Sequence, residues 1–144
     1  MFSTFDISAS ALTAERFRMN IISNNIANAN TTRTPEGGPY RRQLPVFEER
    51  EEEVVPSPEA GLLGDTKIGN GVRIIGVVED NTPFKKIYNP GHPDADENGY
   101  VKMPNIDVVK EMVDLISASR AYEANLAVID TSKSLAQRAL NIGK

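Results

Sequence analysis

Two stretches free of proline and glycine, one toward each end of the chain, frame a middle that holds almost every residue able to break a helix. All nine prolines, and every glycine except Gly143, lie between Pro35 and Pro104. Proline removes an amide donor and clashes with the preceding turn, so long helices are confined to the two ends. From about Ser3 to Asn30, apolar residues recur every seven positions at Phe5, Leu12, Met19 and Ile26, partnered by Ala9, Ile22 and Ala29, while Glu15 interrupts the second row. After Pro104 the same interval joins Val108, Leu115, Tyr122, Ile129 and Ala136, flanked by Met112, Ser119, Leu126 and Leu140. Such spacing predicts helices with a coiled-coil-like seam. Asn105 is the expected N-cap of the second, with Asp107 in its first turn facing the positive end of the helix dipole. At ~1.5 Å per residue that helix would be a rod of roughly 50 Å.

Between the two, the pattern changes to a period of two. "VRIIGVVE" (Val72–Glu79) is the best strand, with Val72, Ile74 and Val78 on one face and Ile75 and Val77 on the other. "PYRRQLPVF" and "FKKIY" are weaker candidates, and Pro45 marks the first as an edge strand. The run from Glu48 to Gly71 reads as a charged, mobile excursion. The expected fold is α+β: two long terminal helices paired as an antiparallel coiled coil, with a small β-rich region inserted. In domain terms, residues 1–30 plus 104–144 form the helical unit, and 31–103 an outer β region with a mobile acidic loop near 48–70.

Composition narrows the function. The net charge of -4 over 144 residues argues against a general nucleic-acid binder, which would carry a basic stripe. No stretch approaches the ~20 apolar residues of a membrane span. "MFSTFDISAS" has neither a basic n-region nor an apolar h-region, so no cleavable signal peptide is expected. Absence of cysteine excludes disulfide and thiol chemistry; it suits the reducing cytosol and equally a chain that travels unfolded.

The C-terminal helix carries more apolar surface than one partner can cover. At ~100° per residue, Val108, Val109, Met112, Val113, Leu115 and Ile116 span an arc of roughly 160°. Ala121, Ala124, Leu126, Ala127, Val128, Ile129 and Ile142 spread it around most of the circumference further along. Left in water, such a surface aggregates. The helix therefore calls for neighbours from other chains, and the sequence reads as a building block.

Chemistry-bearing motifs are sparse. "DADENGYV" (Asp94–Val101) matches the start of a calcium loop, with Asp94, Asp96, Asn98 and Gly99 at the right offsets. The twelfth position is Asn105 where a bidentate glutamate belongs, and Lys102 brings a cation to the ninth. A tight Asn98–Gly99 turn with an Asx turn from Asp94 or Asp96 is the simpler reading. The sole histidine, His92, has no second ligand or nucleophile beside it in sequence, so neither a zinc site nor a triad is expected. Glu48–Glu53 reads as a solvated acidic loop rather than a recognition patch. Arg41 and Arg42 are read as strand-start residues making an inter-subunit ion pair rather than a phosphate site. No phosphate loop or paired-carboxylate spacing occurs, so no enzyme, cofactor or small-molecule substrate is expected.

"NNIANANT" (Asn24–Thr31), closing a heptad-like N-terminal helix, resembles the N-terminal signature of the bacterial flagellar axial proteins: the rod, hook and hook-associated subunits. Within that family, "YNPGHPDADENGYVKMPNIDVVKEMVDLISASRAYEANLAVIDTSKSL" (Tyr88–Leu135) and "TTRTPEGGPYRR" (Thr31–Arg42) resemble the proximal-rod subunits of the basal body. The resemblance implies that the terminal helices pair into an inner layer and that many copies stack helically into a hollow rod crossing the periplasm. It also implies that this rod transmits torque from motor to hook. The implied partners are proximal and distal rod subunits, the rod-junction adaptor, the MS-ring protein and the flagellar type III export apparatus. The expected assembly interface comprises Leu12, Met19, Ile22, Asn24, Asn25, Ile26 and Asn28 on the first helix, with Met112, Leu115, Tyr122, Leu126 and Ile129 on the second. Amides in a crowded helix penalise any register that leaves them unpaired, so Asn24, Asn25 and Asn28 are expected to fix how one subunit's helix sits against the next. Two rivals are a calcium-binding interaction module centred on Asp94, Asp96 and Asn98, and a cytosolic coiled-coil adaptor that dimerises through its C-terminal helix.

Overall fold

The computed structural model describes residues 2–50 and 69–142. The element order is α1 (Phe2–Ala27), β1 (Gln43–Glu49), β2 (Val72–Glu79), β3 (Lys85–Tyr88), β4 (Tyr100–Met103) and α2 (Val108–Ile142). The α+β expectation of two long helices enclosing small antiparallel sheets holds. Helix α1 runs until the asparagine cluster, where Asn28 turns its amide back onto the Asn24 carbonyl at 2.9 Å and Thr31 donates its hydroxyl to Asn28 Oδ1 at 3.1 Å. Side chains that bond their own backbone end helices. Helix α2 starts one residue after Asp107, whose Oδ1 accepts the amides of Val109 and Lys110 at 3.1 and 3.4 Å. Asp107, not Asn105, is therefore the N-cap. Asn105 is drawn away by stronger offers: its Oδ1 accepts the Arg42 amide at 2.9 Å, and its Nδ2 donates to the Asp80 carbonyl at 2.9 Å and to the Thr82 hydroxyl at 2.8 Å.

The strands form two separate two-stranded antiparallel sheets, β1–β2 and β3–β4. In the first, Gln43 opposes Glu79 and Val46 opposes Gly76, after which the register slips so that Phe47 opposes Ile74. The extra residue on β2 is a bulge, which bends and twists the ribbon. The second sheet pairs Lys85 with Met103 and Tyr88 with Tyr100. Strand β4 does not show as a strand in sequence because four residues are too few for a period-two signal; Val101 within it is nevertheless only 2% exposed. The acidic excursion near 48–70 falls, for residues 51–68, outside the described residues.

Helix α1 lies between two partners: it packs against α2 and against both β1 and β2. The β2 contact is close. Gly71 adopts a φ of 95°, and any Cβ there would collide with Ser10. The Ser10 hydroxyl donates to the Ile7 carbonyl at 2.7 Å and accepts the Val72 amide at 3.1 Å, pinning the start of β2 to α1. The apolar core is small: Ala14, Ile21 and Ile22 from α1, Ala118 from α2, and Val101 and Ile106 around the second hairpin. Beside it are fully buried polar groups, and these lead to the site.

Candidate functional site

On α2, a row of less exposed positions recurs at alternating spacings of four and three, Glu111, Leu115, Ala118, Tyr122, Asn125, Ile129, Ser132 and Ala136, with Asp114, Ser119 and Ala121 also half-buried beside it. Leu115, Tyr122 and Ile129 thus turn inward as half-buried residues. The second inward row is Glu111, Ala118, Asn125 and Ser132, while the larger apolar Met112 and Leu126 are exposed. Small or polar residues on that row let α1 approach closely, and Ala118 is completely buried. The larger apolar side chains are left facing out. Val109, Met112, Val113 and Ile116 are 72, 53, 60 and 54% exposed, and they recur at i, i+3, i+4 and i+7, the spacing of one helical face. Leu126, Leu135 and Leu140 are also exposed. On α1, Leu12, Met19 and Ile26 are half-buried and Ile22 is buried within the chain.

The asparagines divide. Asn25 is 1% exposed and entirely occupied inside the chain. Its Nδ2 donates to the Gln43 carbonyl at 2.9 Å and to Glu111 Oε2 at 3.1 Å; its Oδ1 accepts the Gln43 amide at 3.0 Å and the Tyr40 hydroxyl at 3.1 Å. One side chain thus pairs like a strand with the start of β1 and also holds the first turn of α2. Asn24 is exposed; it donates to the Tyr40 hydroxyl at 3.1 Å and receives Asn28 Nδ2 at 3.0 Å. Burial, followed by the nearby Glu111 carboxylate, pushes the Tyr40 phenol above its usual pKa, keeping it protonated and able to donate.

Glu111 is also 1% exposed. Its Oε1 receives Arg42 Nε at 2.7 Å and a terminal nitrogen of the same guanidinium at 2.7 Å, a two-pronged charge-assisted contact. The guanidinium reaches on to Asp80 and Asp114, each at 3.6 Å. Arg42, expected to pair across subunits, is therefore bound within its own chain. Its neighbour Arg41 lies over the Phe84 ring, 4.3 Å from the centroid, a cation–π contact. Asp80 also caps Thr82, whose backbone amide is the main cause of its lowered pKa. The cluster unites residues 25, 42, 80, 105 and 111, one from nearly every segment. Sequence reading missed Glu111 because an acidic residue in a helix is ordinarily solvated; the one available signal was a charge standing four residues before the inward Leu115.

The Asp94 loop is occupied by protein donors. Asp94 accepts the Thr32 hydroxyl at 2.8 Å and Arg33 at 2.6 Å, and the Thr32 bond is the main cause of its lowered pKa. Asp96 Oδ1 accepts the amides of Asn98 and Tyr100 at 3.0 and 2.8 Å, an Asx turn completed by Gly99 at a φ of 78°. His92 Nδ1 accepts the Asp94 amide at 3.1 Å. Among the described residues no group of three or more metal-ligating side chains converges, and no helix is long and apolar enough to cross a membrane.

Two family models match this chain: one described as flagella basal body rod protein over residues 5–33, the other as the flagellar basal body rod FlgEFG protein C-terminal region over residues 97–142. The chain is similar along its whole length to flagellar basal-body rod proteins FlgC. With that of Borreliella burgdorferi it shares 48% identity, covering 99% of this chain and 97% of the relative. With that of Bacillus subtilis the figures are 42%, 99% and 98%, and with that of Salmonella typhimurium 42%, 100% and 98%. Coverage of both chains is near-complete at such identity, and the chain belongs to the FlgC family of flagellar basal-body rod proteins.

Proposed function

We propose that this chain is a structural subunit of the flagellar basal-body rod, in its proximal segment, that assembles helically with copies of itself and with related subunits into a hollow shaft transmitting torque from motor to hook. The observation that carries this reading is the uncovered apolar face of α2 at Val109, Met112, Val113 and Ile116. A face of that kind, on a chain of this family, is removed from water when subunits meet, at roughly 25 cal/mol per Å2 of apolar area. A contact repeated along a screw axis without closing gives a filament. No catalytic step is involved; the mechanism is mechanical.

In this reading residues 1–30 and 104–144 form the inner layer, with α1 and α2 as an antiparallel coiled coil, and residues 31–103 lie outside. The alternating four-and-three burial on α2 supports it, as does the Asn25–Glu111 bond, which sets the end of α1 beside the start of α2. The exposed Met112 and Leu126, with the rims of Leu12, Met19, Ile26, Leu115, Tyr122 and Ile129, meet neighbouring subunits; Ile22 and Asn25 hold the helix pair together. Neighbours would be other proximal and distal rod subunits, the junction adaptor and the MS-ring protein. The subunit would reach a rod crossing the periplasm through the type III export apparatus.

The test replaces Met112 and Val113 by Asp in a cell whose own gene for this subunit is deleted. Both positions are solvent-exposed, so the purified variant should keep its thermal midpoint. Basal bodies counted by electron microscopy should lack rods. Normal rods and swimming in that strain would overturn the proposal.

A further inference from the structure

We propose that the cluster of Asn25, Arg42 and Glu111 is a positioning joint, whose purpose is to fix the angle between the helix pair and the β1–β2 hairpin rather than to add stability. This deepens the rod reading and rests on it: a shaft passes torque outward only if each subunit's outer part is rigidly set on its inner helices.

The first ground is how little else could set that angle at the hairpin's base: the Ser10–Val72 bond pins only the opposite end of β2 to α1, and few apolar side chains are buried among the described residues. Hydrophobic contacts are non-directional, so a sparse apolar core tolerates several orientations. The cluster does not. Asn25 grips both polar groups of Gln43 at the first residue of β1, Arg42 precedes it, and Asp80 follows the last residue of β2. Both ends of the hairpin base are thus tied to α2 through a single guanidinium that bonds Glu111 at 2.7 Å. The planar fork of arginine permits one geometry where a lysine would permit many.

The second ground is the position of Glu111. A carboxylate that is 1% exposed is costly to bury, and replacing a buried ion pair by apolar residues of similar volume is often neutral or stabilising. A pair kept for stability alone would be poorly chosen; a pair that specifies one arrangement is the use for which burial of charge is best attested.

These grounds separate position from stability experimentally. In the double variant Arg42→Met, Glu111→Leu, no buried charge is left unpaired; Asp80 and Asp114 are partly solvated and Asn25 keeps Gln43 and Tyr40. Its purified full chain should melt at or above the parent's midpoint, while rods per cell in the deletion strain fall at least tenfold. Amide exchange at residues 43–46 and 77–79 should speed by a similar factor. Parent-like rod numbers at an unchanged midpoint would overturn the joint while leaving the rod reading intact. Should the double variant fail to fold, Arg42→Lys decides: it keeps the charge beside Glu111 and loses the fork. Rod numbers within twofold of the parent's would overturn the proposal, and a tenfold loss with a retained midpoint would support it.

Discussion

Neighbouring asparagines on one helix end do different work because of where the backbone points them. Asn25 faces inward and satisfies four groups; replacing it by Ala leaves the Gln43 amide and carbonyl and the Tyr40 hydroxyl short of a partner in a part-buried site. Unsatisfied buried groups cost ~1–3 kcal/mol each, and some relax, so Asn25→Ala should lower unfolding stability by about 3 kcal/mol in urea titrations. Asn24→Ala and Asn28→Ala, at positions that water can reach, should each cost less than about 1 kcal/mol. An equal loss at all three would refute this division. The sequence shows the asparagines as a group and suggests a role between subunits; only the fold reveals that Asn25 is consumed within the chain. Acid sensitivity also belongs to single residues. Asp94 is held below its ordinary pKa of 3.8 by the Thr32 hydroxyl, followed by the positive charge of Arg33. A depressed carboxylate contributes stability that is complete above the unfolded-state value and lost as pH falls through the folded one. Asp94→Asn should therefore weaken the protein at neutral pH and flatten its loss of stability below about pH 4. A variant whose acid-unfolding profile parallels the parent's would show that the Thr32–Asp94–Arg33 contact contributes nothing.

Helix α2 illustrates how a period legible in sequence leaves open which side chains face the neighbouring helix. The seven-residue interval is plain in sequence, and Leu115, Tyr122 and Ile129 do turn inward. In sequence the row flanking them is Met112, Ser119 and Leu126, whereas the row that turns inward within the chain is Glu111, Ala118, Asn125 and Ser132. Hydrophobicity alone ranks these the other way round. Close approach decides, since small side chains let two helix backbones come together and a charged one is admitted where Arg42 waits for it. From this follows a test at the scale of the element: Ala118→Leu, which enlarges an apolar side chain at zero exposure, should destabilise by ~1–3 kcal/mol through overpacking. Met112→Leu, on the outward face, should leave the urea midpoint unchanged. The reverse ranking would mean that α1 sits against the other face. Strand β4 and the N-cap at Asp107 escaped notice for a related reason. Both depend on partners distant in sequence, β3 in one case and the capture of Asn105 by Arg42, Asp80 and Thr82 in the other.

For the whole molecule, the distribution of helix breakers determines the plan. Prolines and glycines gathered in the middle leave two uninterrupted ends, so helices at the ends and short strands between them follow from local sterics alone. Surplus apolar surface on α2 likewise follows from a count around the helix, and with it the need for other chains. The quoted motifs carried the family. What local rules cannot reach is the choice among side chains that are chemically able to do the same thing. Arg42 could as well have paired with a neighbouring subunit, Asp94 and Asp96 could as well have faced a cation, and Glu111 could as well have stayed in water. Each of those choices is a competition between protein partners and solvent, and its outcome depends on which groups the chain brings within ~3 Å. Periodicity and breakers are properties of nearest neighbours along the chain, so the sequence by itself determined the elements; the pairing of buried charges is a property of residues as far apart as Asn25 and Glu111, so only the tertiary structure could decide it.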